Sequence, residues 1–235
     1  VYRRPRVAFF STGDELRGVG EPLGPGEIYD SNRYTLYSML KRLDVEINDM
    51  GVVRDKRELI EQAFRQAADS ADAIITSGGV SVGEADFVKE TLEALGSMSF
   101  WKIAMKPGRP VTFGHIDNAV FFGLPGNPVS VMVTFFQFVR SALLKMSGET
   151  NPQPACTVQA IVTSALRKRP GRYEFQRGVL EQSAPGEFTV RSAGAQGSGI
   201  LRSMSEANCF ILLEPDQGGI EAGQTVLVQP FQNLI

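Results

Sequence analysis

The sequence predicts an α/β domain, with helices on both faces of a mostly parallel sheet, followed by a small all-β, barrel-like domain. Three observations predict it. Short apolar runs alternate with segments of helical period through the first part of the chain. Those runs end in polar or glycine-rich loops, the end of a parallel sheet where ligands sit. Beyond Gly148-Glu149-Thr150-Asn151-Pro152 the texture changes to short alternating runs separated by turn residues. The boundary is placed at about residue 149, giving domains 1–149 and 150–235.

Val7-Ala8-Phe9-Phe10 reads as a buried strand ending in the polar loop Ser11-Thr12-Gly13-Asp14-Glu15. A mixed loop rich in glycine and proline follows over 17–30. Ser31-Asn32 is expected to cap a helix reaching about Leu43, with Leu36, Met39, Leu40 and Leu43 at helical spacing. The next strand covers 45–53. Asp55 is expected to cap a second helix with Leu59, Ile60, Ala63, Phe64 and Ala67 on one face. A strand at 73–76, a glycine turn and a helix at 86–95 complete another unit. Residues 111–113 and 119–122 pair as a hairpin, and Asn127-Pro128 opens an apolar helix over about 129–146. In the second domain the strands are 157–162, 174–180, 188–192, 209–213 and 225–228.

Composition excludes several classes. Hydrophobic residues are 43% and charged residues 21%, which is ordinary for a soluble globular chain. Lys plus Arg is 24 against 26 Asp plus Glu, a net charge of −2, so no basic excess points to nucleic acid. No apolar run is long enough to span a membrane, and no secretory signal is visible. Cys156 and Cys209 form neither a zinc nor a redox motif nor a disulfide framework, so a reducing, cytoplasmic setting is expected. The chain opens Val-Tyr-Arg-Arg-Pro without an initiator Met and reads as a fragment of a longer protein.

The most informative stretch is Ser77-Gly78-Gly79-Val80-Ser81-Val82-Gly83-Glu84-Ala85-Asp86. Gly78, Gly79 and Gly83 let backbone N–H groups approach a ligand, and the helix start behind them favours an anion. The stretch is neither the dinucleotide fingerprint nor a P-loop. Donors for phosphate beside the carboxylates Glu84 and Asp86 suggest a phosphorylated ligand held with a metal ion. As a bare connection, the same turn needs no ligand.

Glu15, Asp55 and Asp86 follow three different strands. Singly, each is equally a surface carboxylate or a cap; together they suit a hydrated Mg²⁺, with Asp14 an alternative to Glu15. Lys102 and Lys106 sit four apart; in a strand that separation would put them on one face, where they repel unless an anion lies between them, and two solvated lysines are the plain alternative. Gly123-Leu124-Pro125-Gly126-Asn127-Pro128 offers a second helix start for an anion. His115, the single histidine, falls in an expected hairpin turn, which argues against a histidine-based triad. Trp101 reads as packing, and Phe135, Phe136 and Phe138 as core or interface. Arg177 and the loop Gly194-Ala195-Gln196-Gly197-Ser198-Gly199 are either a surface arginine beside a flexible loop or a wall that closes the anion site.

Ser11 to Leu16, Tyr29-Asp30-Ser31-Asn32, Ser77 to Asp86, Lys106 to Pro110 and Leu124 to Pro128, in this order with a β domain behind them, resemble the molybdopterin molybdenumtransferases, the family that includes the gephyrin E domain. The resemblance covers essentially the whole chain. It implies a three-layer molybdopterin-binding α/β domain, a small β-barrel, and an N-terminal half, absent here, that builds a homodimer and lends residues to the partner's active site. It implies insertion of molybdate into adenylyl-molybdopterin with release of AMP, dependent on Mg²⁺. By position it assigns Glu15, Asp55 and Asp86 to the metal and pyrophosphate, with Asp55 and Asp86 also catalytic. Lys102 and Lys106 go to the oxyanion, and Ser77, Gly78, Gly79, Ser81, Gly83, Pro125, Pro128, Arg177 and Ser198 to the substrate. Arg109 receives no role. Two rivals are the molybdopterin adenylyltransferase, which shares the first domain, is itself a candidate partner and usually lacks the β domain, and a gephyrin-like scaffold that anchors a peptide.

Overall fold

The structure, a computed structural model, describes residues 1–79, 87–150 and 155–231. They fall into two compact units: 1–102 with 110–150, and 103–109 with 155–231. In chain order the first unit holds β1 (Arg6–Thr12), β2 (Leu16–Arg17), β3 (Ile28–Tyr29), α1 (Ser31–Lys41), β4 (Glu46–Val53), α2 (Arg57–Ser70), β5 (Ala73–Ser77), α3 (Phe87–Leu95) and β6 (Gly96–Lys102). After β7 (Met105–Lys106), which belongs to the second unit, come β8 (Pro110–Ile116), β9 (Ala119–Leu124), α4 (Pro128–Thr134), a π-helical turn (Phe135–Val139) and α5 (Arg140–Met146). The second unit adds β10 (Val158–Val162), β11 (Tyr173–Ala184), β12 (Glu187–Ser192), α6 (Arg202–Glu206), β13 (Cys209–Leu213) and β14 (Thr225–Pro230).

In the first unit the sheet order is β4-β1-β5-β9-β8-β6. The pairings β4–β1, β1–β5 and β5–β9 are parallel, and β9–β8–β6 is an antiparallel edge. Side chains of β1 alternate between faces. Ala8 and Phe10 join Ile74 and Phe121 under α2 and α3, where Phe64 meets Phe10 at 5.2 Å and Phe121 at 5.6 Å between ring centres, both edge-on. Helices α1 and α4 pack against each other and against β1 and β9, closing the third layer.

Several local expectations change. The cap of α1 is Asp30, whose Oδ1 accepts from the Arg33 N–H at 3.1 Å; carboxylate and hydroxyl caps are equivalent, so sequence could not separate Asp30 from Ser31 or Asn32. Lys56, not Asp55, holds the N-cap position of α2, with no side-chain cap. Leu59 falls on the outer face at 40% exposure, while Ile60, Ala63, Phe64 and Ala67 are buried. The glycine-rich 17–30 loop contains the short parallel β2–β3 pair. His115 lies on β8, not in the turn, which is formed by Asp117 with φ of 50°. Trp101 is half exposed on edge strand β6, stacked on Phe113. The helix 128–146 is long and apolar enough to cross a membrane by length and composition, contrary to expectation, but just over half of its most apolar stretch is buried within the protein.

The second unit is a closed ring of five strands, β12-β10-β14-β13-β11, with β11 pairing back to β12. Alternate residues Ala160 and Val162, Cys209, Ile211 and Leu213, and Val226 and Val228 fill its interior. Gly178 permits this closure, since a Cβ there would sit 2.8 Å from Ile211 Cγ1. The expected boundary kept 103–109 with the α/β part. Instead β7 runs parallel to β11 in the barrel sheet, with Lys106 opposite Glu174.

Candidate functional site

In the first unit the carboxyl ends of β1, β5 and β9 are neighbours by sheet order, and their loops meet. Ser11 and Ser77 lie in register on β1 and β5, and their buried hydroxyls are 2.9 Å apart. Beyond them Gly78 adopts φ of 89°, and a Cβ there would strike the Thr12 carbonyl at 2.7 Å; Gly79, at φ of 65°, would strike Val88 at 2.5 Å. Both positions demand glycine on conformational and steric grounds. The Gly78 N–H donates to the Leu124 carbonyl at 3.2 Å, and the backbone of Gly126 comes up against Gly78. From α1, the Asn32 Nδ2 donates to the Gly126 carbonyl at 2.7 Å. The loops that follow β1, β5 and β9 and the start of α1 are thus tied into a single backbone-lined rim.

Ser77, Gly78, Gly79, Pro125 and Pro128 all belong to this rim; Pro125 is buried and Pro128 half-buried at the start of α4. Ser81, Gly83 and Asp86, with Glu84, lie outside the described residues. The loop carrying Glu15 is joined to the loop carrying Asp55 through Asp14, whose Oδ1 accepts from the Asp55 N–H at 3.2 Å and whose carbonyl accepts from Arg54 at 2.6 Å. Glu15 itself is exposed and folds its carboxylate over Gly13. The β2–β3 pair then returns Asp30 to the rim, with the Asp30 N–H donating to the Arg17 carbonyl at 2.9 Å. Among the described residues no three His, Cys, Asp or Glu side chains cluster as a metal site. Magnesium asks for only one or two protein carboxylates beside substrate phosphates and water, and Asp14, Glu15 and Asp55 are the described carboxylates on these adjoining loops.

The rim also carries groups that the sequence reading did not place in the site. Thr12 Oγ1, Asp30 Oδ2 and Asn32 Oδ1 are buried and lack a hydrogen-bond partner among the described residues. Buried acceptors in that condition call for a water or a ligand donor. The signal was in the sequence, since Asp30 and Asn32 belong to the Tyr-Asp-Ser-Asn stretch, but capping accounted for it.

Lys102 and Lys106 do not share a strand. Lys102 ends β6, exposed, in the first unit, and Lys106 stands on β7 in the second. There its Nζ donates to Glu174 Oε1 at 3.2 Å. Arg177 is not a surface residue: it is 1% exposed. Its Nε donates to Ser203 Oγ at 3.0 Å, and its Nη2 to the carbonyls of Ala195 and Gly197 at 3.2 and 3.0 Å. Its backbone grips Gln196 as well, N–H to Oε1 at 2.8 Å and carbonyl from Nε2 at 3.0 Å. Burial pushes its guanidinium down to about 10. Arg177 therefore shapes the loop that carries the half-buried Ser198.

Comparison with known proteins agrees with this architecture. A family profile described as "Probable molybdopterin binding domain" matches residues 8–145, and another, "MoeA C-terminal region (domain IV)", matches 159–231. The molybdopterin molybdenumtransferase of Haemophilus influenzae is 47% identical over 234 residues, covering 100% of this chain and 58% of that protein. Gephyrin of Dictyostelium discoideum is 32% identical, covering 97% of this chain and 37% of that protein. Among solved structures, a molybdopterin biosynthesis MoeA protein of Pyrococcus horikoshii superposes with a TM-score of 0.81 at 30% identity, covering 98% of this chain and 55% of that one. The chain spans little more than half the length of the bacterial relatives it matches. With an α/β domain that matches the molybdopterin-domain profile and whose loops form this rim, and a closed five-stranded barrel following it in sequence, the chain belongs to the MoeA family of molybdopterin molybdenumtransferases.

Proposed function

We propose that the full-length protein inserts molybdate into adenylyl-molybdopterin with release of AMP. The observation that carries this reading is the rim in the first unit, where Gly78 and Gly126 bring backbone close together at the carboxyl ends of β1, β5 and β9. Such a surface suits a pyrophosphate, which backbone N–H groups and a helix start can hold without side-chain bulk. Ser77, Gly78, Gly79, Ser81 and Gly83 would line one wall, and Pro125 and Pro128 the other. The unpartnered Thr12, Asp30 and Asn32 oxygens are suited to N–H and O–H donors of the organic part of the substrate.

Glu15, Asp55 and Asp86 would hold Mg²⁺, which when bound supplies charge neutralisation for the pyrophosphate. In this reading Asp55 and Asp86 orient the attacking oxygen. Cleavage of the phosphoanhydride P–O bond sends AMP away with the electron pair of that bond or with the incoming oxygen, according to which phosphorus is attacked. Lys102 and Lys106 would stabilise molybdate and the charge that builds as the bond breaks. Arg177 would contribute by holding the loop of Ser198 in place. The expected setting is a cytoplasmic homodimer supplied by the adenylyltransferase. Against a simple adenylyltransferase stands the match of residues 159–231 to the MoeA C-terminal region. The test is molybdate-dependent AMP release by full-length protein, in which Asp86→Ala or Lys106→Ala is expected to lower the rate on the order of 100-fold. Near-normal rates in both would sink the proposal.

A further inference from the structure

We propose that Glu174 is a positioning residue that aims the Lys106 ammonium at the oxyanion; this rests on the assignment of Lys106 above. Lysine is a point charge on a flexible four-carbon stem, and by itself it samples many rotamers. Here two features of the barrel sheet restrict it. The parallel β7–β11 pairing sets Lys106 in register with Glu174, and the Tyr173 N–H anchors that register on the Ala104 carbonyl at 2.9 Å. The Glu174 side chain is 6% exposed, so its carboxylate must be met by donors rather than water. Lys106 Nζ supplies one at 3.2 Å, on Oε1, and Gln176 Nε2 supplies another at 3.1 Å, on Oε2. Gln176 is fixed in turn on the Arg167 carbonyl at 2.8 Å.

The carboxylate is therefore the rigid member of the pair, and Lys106 is the movable one. An ammonium has three N–H donors, and Glu174 takes one. The Lys106 side chain stays 44% exposed, so its remaining donors face open space. A fixed carboxylate thereby sets the direction in which a tetrahedral oxyanion is met. Glu174 touches neither substrate nor reacting atoms in this arrangement and acts through Lys106.

The test uses the full-length protein and steady-state AMP release, with molybdate and adenylyl-molybdopterin varied separately. Glu174→Gln keeps the shape and the contact to Gln176 but removes the charge that holds Lys106. It is expected to raise the molybdate KM about tenfold, while the adenylyl-molybdopterin KM stays at its wild-type value. Glu174→Asp, which withdraws the carboxylate by one methylene, is expected to act in the same direction and serves if the Gln variant does not fold. An unchanged molybdate KM overturns the proposal. So does an equal rise in both KM values, the mark of a merely structural role. Lys106→Ala runs beside them: a near-normal molybdate KM and rate there would remove the assignment of Lys106 itself, a different failure from that of Glu174.

Discussion

At the scale of single residues, the structure separates positions whose chemistry is local from those serving the site. Gly78 is the sharpest case: its φ of 89° and the 2.7 Å approach to the Thr12 carbonyl leave no room for a Cβ. Gly78→Ala should cost about 2 kcal/mol or more in urea unfolding, whereas Gly186→Ala, at φ of 80° with open space around it, should cost only about 1 kcal/mol. Asp72 gives a pH signature. Hydrogen bonding from Arg3, then from Arg6, holds its carboxyl well below the ordinary 3.8 against the opposing effect of burial. A depressed folded value means stability that is complete above the unfolded value and lost as pH falls below it. The unfolding free-energy gap between wild type and Asp72→Asn should therefore be larger at pH 7 than at pH 3; an equal gap would remove the linkage. Burial pushes the Cys209 thiol up to about 12, while Cys156 is exposed. A thiol reagent at pH 8 should accordingly label Cys156 alone until the chain is denatured, as read by mass spectrometry.

Elements show what period and punctuation can and cannot carry. The face of α2 was legible because Ile60, Ala63, Phe64 and Ala67 recur at helical spacing under one side of the sheet. Leu59 was misplaced because one apolar residue at the stripe's edge leaves its side undecided. Phe64→Ala should cost about 3–5 kcal/mol in denaturant unfolding through the lost Phe10 and Phe121 contacts, and Leu59→Ala well under about 1 kcal/mol. The strand β6 was missed because Ser97, Met98 and Ser99 carry no strong β signal; it is an edge paired along its length to β8. Nothing in the run from Phe100 to Pro110 announces that residues 103–109 leave the first sheet for the second. That choice is made by the pairing of Met105–Lys106 with Tyr173–Glu174, 68 residues away, and local pattern holds no record of it. Arg177 was read as a surface side chain or a cleft residue for the same reason. Its partners, Ala195, Gly197 and Ser203, are all distant in sequence. Arg177→Lys, which lacks the Nε–H that reaches Ser203 Oγ while Nη2 holds the two carbonyls, should speed hydrogen exchange over residues 194–199 about tenfold; unchanged protection would contradict the clamp.

At the scale of the molecule, two units with different architectures follow one another in one chain, and each contributes named parts of a single proposed chemistry. The first gives a backbone-lined rim at the carboxyl ends of β1, β5 and β9, with Glu15 and Asp55 on adjoining loops. The second gives a lysine held by a buried carboxylate and a loop shaped by a buried arginine. The measurement that tests this most directly is molybdate-dependent AMP release from adenylyl-molybdopterin by the full-length protein. Wild type should turn over, with rates falling on the order of 100-fold both for Asp86→Ala, in the α/β unit, and for Lys106→Ala, in the barrel unit. Near-normal turnover in both variants, or release of AMP that does not depend on molybdate, would contradict the account.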